Sequence, residues 1–292
     1  MAARDGLPQA EPADLGLDAA HIVALQQEAA AFTEPLPGAS HPLYSGAVVL
    51  VGHDGHLIAE DASGWSLRYS DGAGTELPLD QRITTDTDTI YDLASISKLF
   101  TTVVVLQLVE AGRLDLDAAV AGYLPRFEAN GKAAITVRML LTHTTGLPVW
   151  SPLWRDQPTI DARIGAVLDA APTAEPGHRY QYSDVNMIAA GLVAEQVSDS
   201  TLDVLVAAGI TERLGMVDTG YRPDPGLRPR IAATEFQSAP ARGMVHGEVH
   251  DENAWALGGV SGHAGVFGTA RDLARLSQAI LDGGSYDGAR IL

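Results

Sequence analysis

The stretch DLASISKLF, residues 92–100, places Ser95 three residues before Lys98 at the start of a long apolar run. Apolar residues in this run recur at intervals of three and four, which predicts a buried helix over Ser95–Ala111 that ends at Gly112. Residues three apart lie on the same face of a helix, so the serine hydroxyl and the lysine amine can be in contact.

This spacing is compatible with nucleophilic catalysis. A serine hydroxyl is a weak nucleophile, but a neutral amine beside it can remove its proton, and a helix N-terminus stabilises the developing negative charge. A purely structural interpretation is also open, in which Ser95 is a helix N-cap and Lys98 a solvated residue of the first turn. Residues 95–98 alone do not distinguish the catalytic interpretation from the structural one.

A second stretch, YQYSD at residues 180–184, precedes another predicted helix and carries Tyr182. A phenol that faces a cationic lysine ionises more easily and can relay protons toward Ser95 or a leaving group. The alternative is again structural, because Ser183 or Asp184 would cap the following helix and Tyr182 would pack beside it.

Together with three further stretches, these residues resemble the penicillin-recognising serine hydrolase superfamily, and most closely its class C β-lactamases, family VIII carboxylesterases and D-alanyl-D-alanine carboxypeptidases. The three stretches are LDLD (114–117), YLP (123–125) and LLTHTTGLP (140–148). The resemblance runs from about Ser45 to Leu292. It implies one domain over residues 1–292 with an α+β, β-lactamase/transpeptidase-like fold, in which a large helical region flanks an antiparallel sheet.

The resemblance also implies a function: a serine hydrolase that acts on an ester or amide through an acyl-enzyme, without a cofactor. It makes Ser95 the nucleophile, with its N–H as half of an oxyanion hole, Lys98 the proton acceptor and Tyr182 a second acid/base group. Asp184 stands where the family usually has a substrate-binding asparagine. A carboxylate there favours a charged Lys98, so it stays open whether Lys98 or Tyr182 is the working base. The substrate would be a small ester, a β-lactam or a peptide.

Composition narrows the class of protein further. The 292 residues are 46% hydrophobic, and 37 acidic against 19 basic residues give a net charge of −18, which disfavours nucleic acid as a partner. The absence of cysteine excludes thiolate chemistry. The strongest apolar stretch, 103–109, is interrupted by Gln107 and is too short to span a membrane. Residues 1–36 lack the pattern of an export signal, which predicts a cytoplasmic protein.

The rest of the chain predicts one hairpin followed by a mainly helical region. Asp54-Gly55 between two β-rich segments of residues 45–60 predicts an antiparallel pair. The pattern shows no clear strands after Glu60. Further helices are predicted at residues 15–32, 136–143, 161–170, 184–197, 202–214 and 271–281.

A sheet usually has more than two strands. We therefore expect that the fold needs further strands beyond Leu292. A third family motif, a Lys/His-Thr/Ser-Gly triplet that borders the active site, is not found in the chain. The stretch GHAG with His263 is a weak substitute, because its neighbours resemble a segment that lies upstream of that motif.

Two alternative functions and one structural expectation remain. His246, Glu248 and His250 would share a face of a strand and could hold zinc or iron in a metal-dependent hydrolase, although a polar loop is favoured. A non-catalytic penicillin-binding-like protein would be acylated without turnover.

His143 is expected in a structural turn that closes a helix. The Gly-x-Ser-x-Gly elbow of an α/β-hydrolase does not occur.

Overall fold

The computed structural model describes residues 6–292 and has an α+β architecture, with small antiparallel sheets and many helices. This confirms the predicted fold class. The first five residues of the stretch used for the export prediction lie outside the described residues. No helix among residues 6–292 is long and apolar enough to cross a membrane.

The predicted hairpin is present and belongs to a three-stranded sheet. Strands β1 (Gly46–His53) and β2 (His56–Leu67) pair antiparallel, and Asp54 and Gly55 connect them with φ values of 48° and 74°. Positive φ at both central residues is what a tight two-residue hairpin turn requires. Strand β3 (Ile83–Thr84) pairs with the far side of β2.

The helices follow the predicted apolar periodicity closely. A 3₁₀ turn (Ala94–Ile96) leads into the buried helix α2 (Ser97–Glu110), whose Phe100 and Val105 are fully buried. The predicted helix at 202–214 is interrupted by a π-helical turn at Ala207–Thr211. The remaining α-helices are α1 (Ala19–Ala31), α3 (Val137–Leu141), α4 (Leu153–Asp156), α5 (Ile160–Asp169), α6 (Asp184–Ser198), α7 (Leu202–Val206), α8 (Glu212–Leu214), α9 (Glu252–Ala256) and α10 (Ala270–Leu281).

The expectation that strands are scarce after Glu60 is wrong, and β2 itself continues to Leu67. Eight short strands follow β2, each of two or three residues, and an alternating pattern cannot be recognised over so few positions. Besides β3 they are β4 (Tyr91–Asp92), β5 (Gly220–Tyr221), β6 (Phe236–Gln237), β7 (Gly243–Met244), β8 (Val266–Gly268), β9 (Ser285–Tyr286) and β10 (Ala289–Arg290). Strand β8 lies between β4 and β5, so it holds the segment before α2 against a distant part of the chain.

The start of α2 is fixed to the segment that leads into β8. Thr101 Oγ1 donates a hydrogen bond to the carbonyl of Gly262 at 2.9 Å, and Val266 N donates to Ser97 Oγ at 3.0 Å. Gly262 also packs directly on α6, because a Cβ at this position would lie 1.9 Å from the Met187 carbonyl oxygen. These contacts bring three distant parts of the sequence to one place.

Candidate active site

Ser95 lies in a strained turn that a buried carboxylate supports. Ala94 has a φ of 44°, in the left-handed region that non-glycine residues rarely adopt. Asp92 Oδ1 accepts a hydrogen bond from Ala94 N at 2.8 Å, and its Oδ2 accepts one from His250 N at 2.7 Å. Burial raises the pKa of the Asp92 carboxyl, although these hydrogen bonds oppose the rise. The turn leaves Ser95 exposed at the start of α2.

Lys98 is buried beneath Ser95 and has three polar partners. Its Nζ donates to Ser95 Oγ at 2.8 Å and to the carbonyl of His263 at 3.0 Å, and it lies 2.9 Å from Asp184 Oδ1. The structure thus brings Ser95, Lys98 and Asp184 together around one nitrogen. Asp184 and Lys98 thus form an ion pair next to the serine.

Tyr182 contacts this group through its ring. Lys98 Nζ lies 4.9 Å from the centroid of the Tyr182 ring, and the His143 imidazole also packs on that ring, with centroids 4.7 Å apart. Among the hydrogen bonds of residues 6–292, none joins the Tyr182 hydroxyl to Ser95 or Lys98. Tyr182 thus makes a cation–π contact with Lys98 through its ring, and its hydroxyl is not hydrogen-bonded to the amine.

His143 has the structural place that the sequence predicts. It follows α3 with a φ of 56°, and its Nδ1 accepts hydrogen bonds from Ser183 N at 3.1 Å and from Asn186 Nδ2 at 3.3 Å. Burial, and secondarily the charge of Lys98, lower the pKa of His143. A neutral imidazole is required because Nδ1 must act as an acceptor. His143 therefore supports the loop that carries Tyr182.

The helix-capping interpretation of residues 180–184 also holds, but at Ser183. Ser183 Oγ accepts from Asn186 N at 3.3 Å as the N-cap of α6. Asp184 is thus not needed as a cap, and its side chain reaches Lys98. Asn186 is fully buried and accepts a hydrogen bond from Thr145 Oγ1 at 2.6 Å, so it does not replace the family asparagine at the site.

A second polar group lies behind Lys98 and was missed by the sequence analysis. The His263 ring is 1% exposed, and its Nε2 lies 2.8 Å from Asp251 Oδ1 while its Nδ1 lies 2.8 Å from Ser261 Oγ. The order resembles a Ser-His-Asp triad, but Ser261 is buried and cannot meet a substrate. Both ring nitrogens of His263 are engaged, so the ring does not serve as a third family motif. The contact between Lys98 and His263 joins residues that are 165 positions apart, and the spacing of residues along the sequence does not predict such a contact.

The metal-binding alternative at His246, Glu248 and His250 is wrong, because the three side chains have separate partners. His246 Nε2 bonds the Ile231 carbonyl at 2.8 Å, Glu248 pairs with Arg242, and His250 Nε2 lies 2.9 Å from Glu235. The segment is an irregular loop rather than a strand, so the three residues do not share a face.

Within the described part of the chain, one group of carboxylate and imidazole ligands does converge. It consists of Asp184, Asp251 and His263, whose ligand atoms lie within 4.8 Å of one another. Asp184 Oδ1 is already paired with Lys98, and Asp251 Oδ1 with His263. These contacts fit an electrostatic network around the lysine better than a metal centre.

Comparison with known proteins agrees with this fold. A family model described as Beta-lactamase matches residues 39–292, and the chain belongs to this family. Solved structures with the same fold include a class C beta-lactamase from Rhodobacter sphaeroides, 24% identical with a TM-score of 0.66 over 92% of this chain and 66% of the other. The hydrolase EstCE1, described as having promiscuous acyltransferase activity, is 23% identical with a TM-score of 0.67 over 93% and 74%.

Among curated proteins, the chain is similar to one from Salmonella schwarzengrund named "Putative D-alanyl-D-alanine carboxypeptidase". The two are 31% identical over 276 residues, which cover 85% of this chain. The chain spans 63% of the length of that relative.

Proposed function

We propose that the protein is a serine hydrolase that cleaves an ester or amide through an acyl-enzyme, with Ser95 as the nucleophile. The observation that carries the proposal is the hydrogen bond of 2.8 Å between Lys98 Nζ and the exposed Ser95 hydroxyl. A buried amine in direct contact with an accessible hydroxyl is the pairing that proton abstraction requires. Membership of the beta-lactamase family supports the same chemistry.

The reaction follows from the contacts of Lys98. Once Lys98 has lost a proton, its Nζ accepts the proton of Ser95 while Oγ bonds to the substrate carbonyl carbon. Ser95 N–H, at the start of α2, points toward the developing oxyanion in the family arrangement. The bond from the carbonyl carbon to the leaving group then breaks, and the leaving group takes the proton from Lys98 Nζ. In the second step water bonds to the acyl carbon, Lys98 takes a proton from that water, and this proton passes to Ser95 Oγ as the ester bond to the serine breaks and the acid is released.

Tyr182 and Asp184 bear on the protonation of Lys98 in this proposal. The Tyr182 ring lies against the ammonium, and the Asp184 carboxylate pairs with it, so both favour the charged form. The lysine therefore acts as a base only after deprotonation against these contacts. Tyr182 acts as a second acid/base group only if its hydroxyl turns toward Ser95 when substrate is bound.

The proposal is tested by hydrolysis of p-nitrophenyl esters, a chromogenic cephalosporin and a D-alanyl-D-alanine peptide. We expect turnover of at least one substrate and its loss in Ser95→Ala. Ser261→Ala is the matched control, because it removes a serine hydroxyl that is buried near the site and should leave turnover measurable. Hydrolysis that is unchanged in Ser95→Ala would reject the mechanism.

A second function is favoured by one observation, the ion pair of Lys98 with Asp184 at 2.9 Å. Release of the acyl group needs a base that takes a proton from water. A lysine that is held in the charged form after acylation would leave the acyl group on Ser95, as in a penicillin-binding-like protein that is acylated without turnover. Intact-protein mass spectrometry after incubation with a penicillin distinguishes the two. A persistent adduct on Ser95 without product release supports the binding protein, and free hydrolysed product supports the enzyme.

A further inference from the structure

The buried His263 ring and the partly exposed Asp251 form a hydrogen-bonded pair beside Lys98 that the proposed reaction does not use. The His263 ring is fixed at both nitrogens, by Asp251 Oδ1 and by Ser261 Oγ, each at 2.8 Å. Asp251 is also the N-cap of α9, where its Oδ1 accepts from Ala254 N at 2.7 Å. The carboxylate is therefore held in place by two donors and has little freedom to turn away.

The pair of Asp251 and His263 is also in contact with Lys98. The main-chain carbonyl of His263 accepts a hydrogen bond from Nζ at 3.0 Å, and the ligand atoms of Asp184, Asp251 and His263 lie within 4.8 Å of one another. Burial disfavours the charged form of Asp251, but the hydrogen bonds from His263 and from Ala254 N, together with the nearby charge of Lys98, outweigh burial and lower the pKa of its carboxyl. Asp251 thus supplies a second negative charge close to the lysine.

Five titratable groups face Lys98 from the elements around it. Asp184 belongs to α6, Asp251 to the start of α9, His263 to the segment before β8, Tyr182 to the loop before α6 and His143 to the turn after α3. The Nδ1 of His143 acts as an acceptor, and the hydrogen bonds of His263 are satisfied by a neutral ring. The two aspartates are therefore the fixed charges that act on the ammonium.

We propose that Asp251, held by His263, is a positioning residue that stabilises the charged form of Lys98 and so sets the pH above which Ser95 reacts. The inference rests on the proposed function of Ser95 and Lys98. Removal of a nearby negative charge destabilises an ammonium, so the lysine loses its proton at a lower pH. A residue that served only to cap α9 would change stability without this effect.

The test is the pH dependence of kcat/KM for a neutral p-nitrophenyl ester, measured on the full chain. In Asp251→Asn we expect the rising limb of the profile to move to lower pH by roughly one unit. Asp251→Glu keeps the charge, and its limb should stay near that of the unmodified protein even if kcat falls. Glu248→Gln is the matched control, because it removes an exposed carboxylate from the same loop that pairs with Arg242 instead.

The outcomes separate this inference from the proposed function. If the rising limb of the pH profile does not move in Asp251→Asn, and activity still depends on Ser95, then the role of Asp251 is overturned while the proposed function stands. Activity that survives in Ser95→Ala would overturn the proposed function itself. If Asp251→Asn does not fold, His263→Phe removes the donor that holds the carboxylate, and a smaller shift in the same direction is expected. The absence of any shift in a folded His263→Phe protein would equally overturn the inference.

Discussion

Asp184 stands where the family resemblance places an asparagine, and its carboxylate contacts Lys98 directly. It lies 2.9 Å from Lys98 Nζ, and Ser95 Oγ lies 2.8 Å from the same nitrogen. An asparagine there could donate a hydrogen bond to a substrate carbonyl, whereas a carboxylate can only accept one and repels anions. Substrates that carry a carboxylate, as penicillins and D-alanyl-D-alanine peptides do, therefore meet an unfavourable charge beside the nucleophile.

We predict that Asp184→Asn changes substrate preference. The ratio of kcat/KM for a carboxylate-bearing p-nitrophenyl ester to that for a neutral one should rise by roughly tenfold at low salt, because one repulsive charge is removed. Asp54→Asn on the β1–β2 turn removes the same charge from a distant loop and should leave the ratio unchanged. Equal ratios in the Asp184→Asn and unmodified proteins would show that Asp184 does not face the substrate.

The sequence predicts the site contacts between residues that are close along the chain, but not those between residues that are far apart. Contact between Ser95 and Lys98 follows from helical geometry, since the two residues are three apart at the start of α2. The bond from Lys98 to the His263 carbonyl spans 165 residues, and no periodic pattern encodes it. The Tyr182 ring was placed near the lysine by family resemblance, but the orientation of its hydroxyl depends on packing against His143.

At the scale of elements, the turn after α3 supports the loop that carries Tyr182. Gln181 N donates to the His143 carbonyl at 2.7 Å, while the imidazole accepts from Ser183 N. Burial is the main reason that the pKa of His143 is lowered. Protonation of Nδ1 would break the bond to Ser183 and release the start of α6.

We predict a pH dependence of stability from this imidazole. Its folded pKa lies below the unfolded value of about 6.5, so its contribution is complete above that pH and is lost as pH falls toward the folded pKa. His143→Asn keeps an acceptor for Ser183, tolerates the positive φ and does not titrate. Between pH 7.5 and 5.5, the Tm of this variant should fall less than that of the unmodified protein.

The exposed His178 provides the matched control for that experiment. His178→Asn should show the same pH dependence of Tm as the unmodified protein. If His143→Asn loses as much Tm on acidification as His178→Asn does, the buried imidazole is not the titrating group.

Element types were predictable where the pattern is long. The fourteen residues of α2 contain enough periods to be recognised, whereas β2 was recognised only as far as Glu60 although it continues to Leu67. Strands β4 and β5 have two residues each and exist because β8 lies between them. These strands form because of tertiary packing, which the β-propensities of their residues do not reveal.

At the scale of the whole molecule, the site is assembled where three distant segments meet around Gly262. The start of α2 bonds the Gly262 carbonyl through Thr101, and α6 approaches so closely that Gly191 N lies 3.2 Å from a Cβ placed on Gly262. His263, next in the chain, presents its carbonyl to Lys98. The position of the Lys98 amine thus depends on the absence of a side chain at residue 262.

We predict that Gly262→Ala damages stability and activity together. Its Cβ would lie 1.9 Å from the Met187 carbonyl oxygen, and the backbone must move because no flexible side chain can yield. Overpacking of this kind lowers the free energy of unfolding by about 1–3 kcal/mol, and the displaced His263 carbonyl should lower kcat/KM. Chemical denaturation and ester hydrolysis measure the two effects. Gly122→Ala, with nothing within 4 Å of its Cβ, is the control and should change neither. Similar stability and kcat/KM in the two variants would contradict a dependence of the site on this close packing.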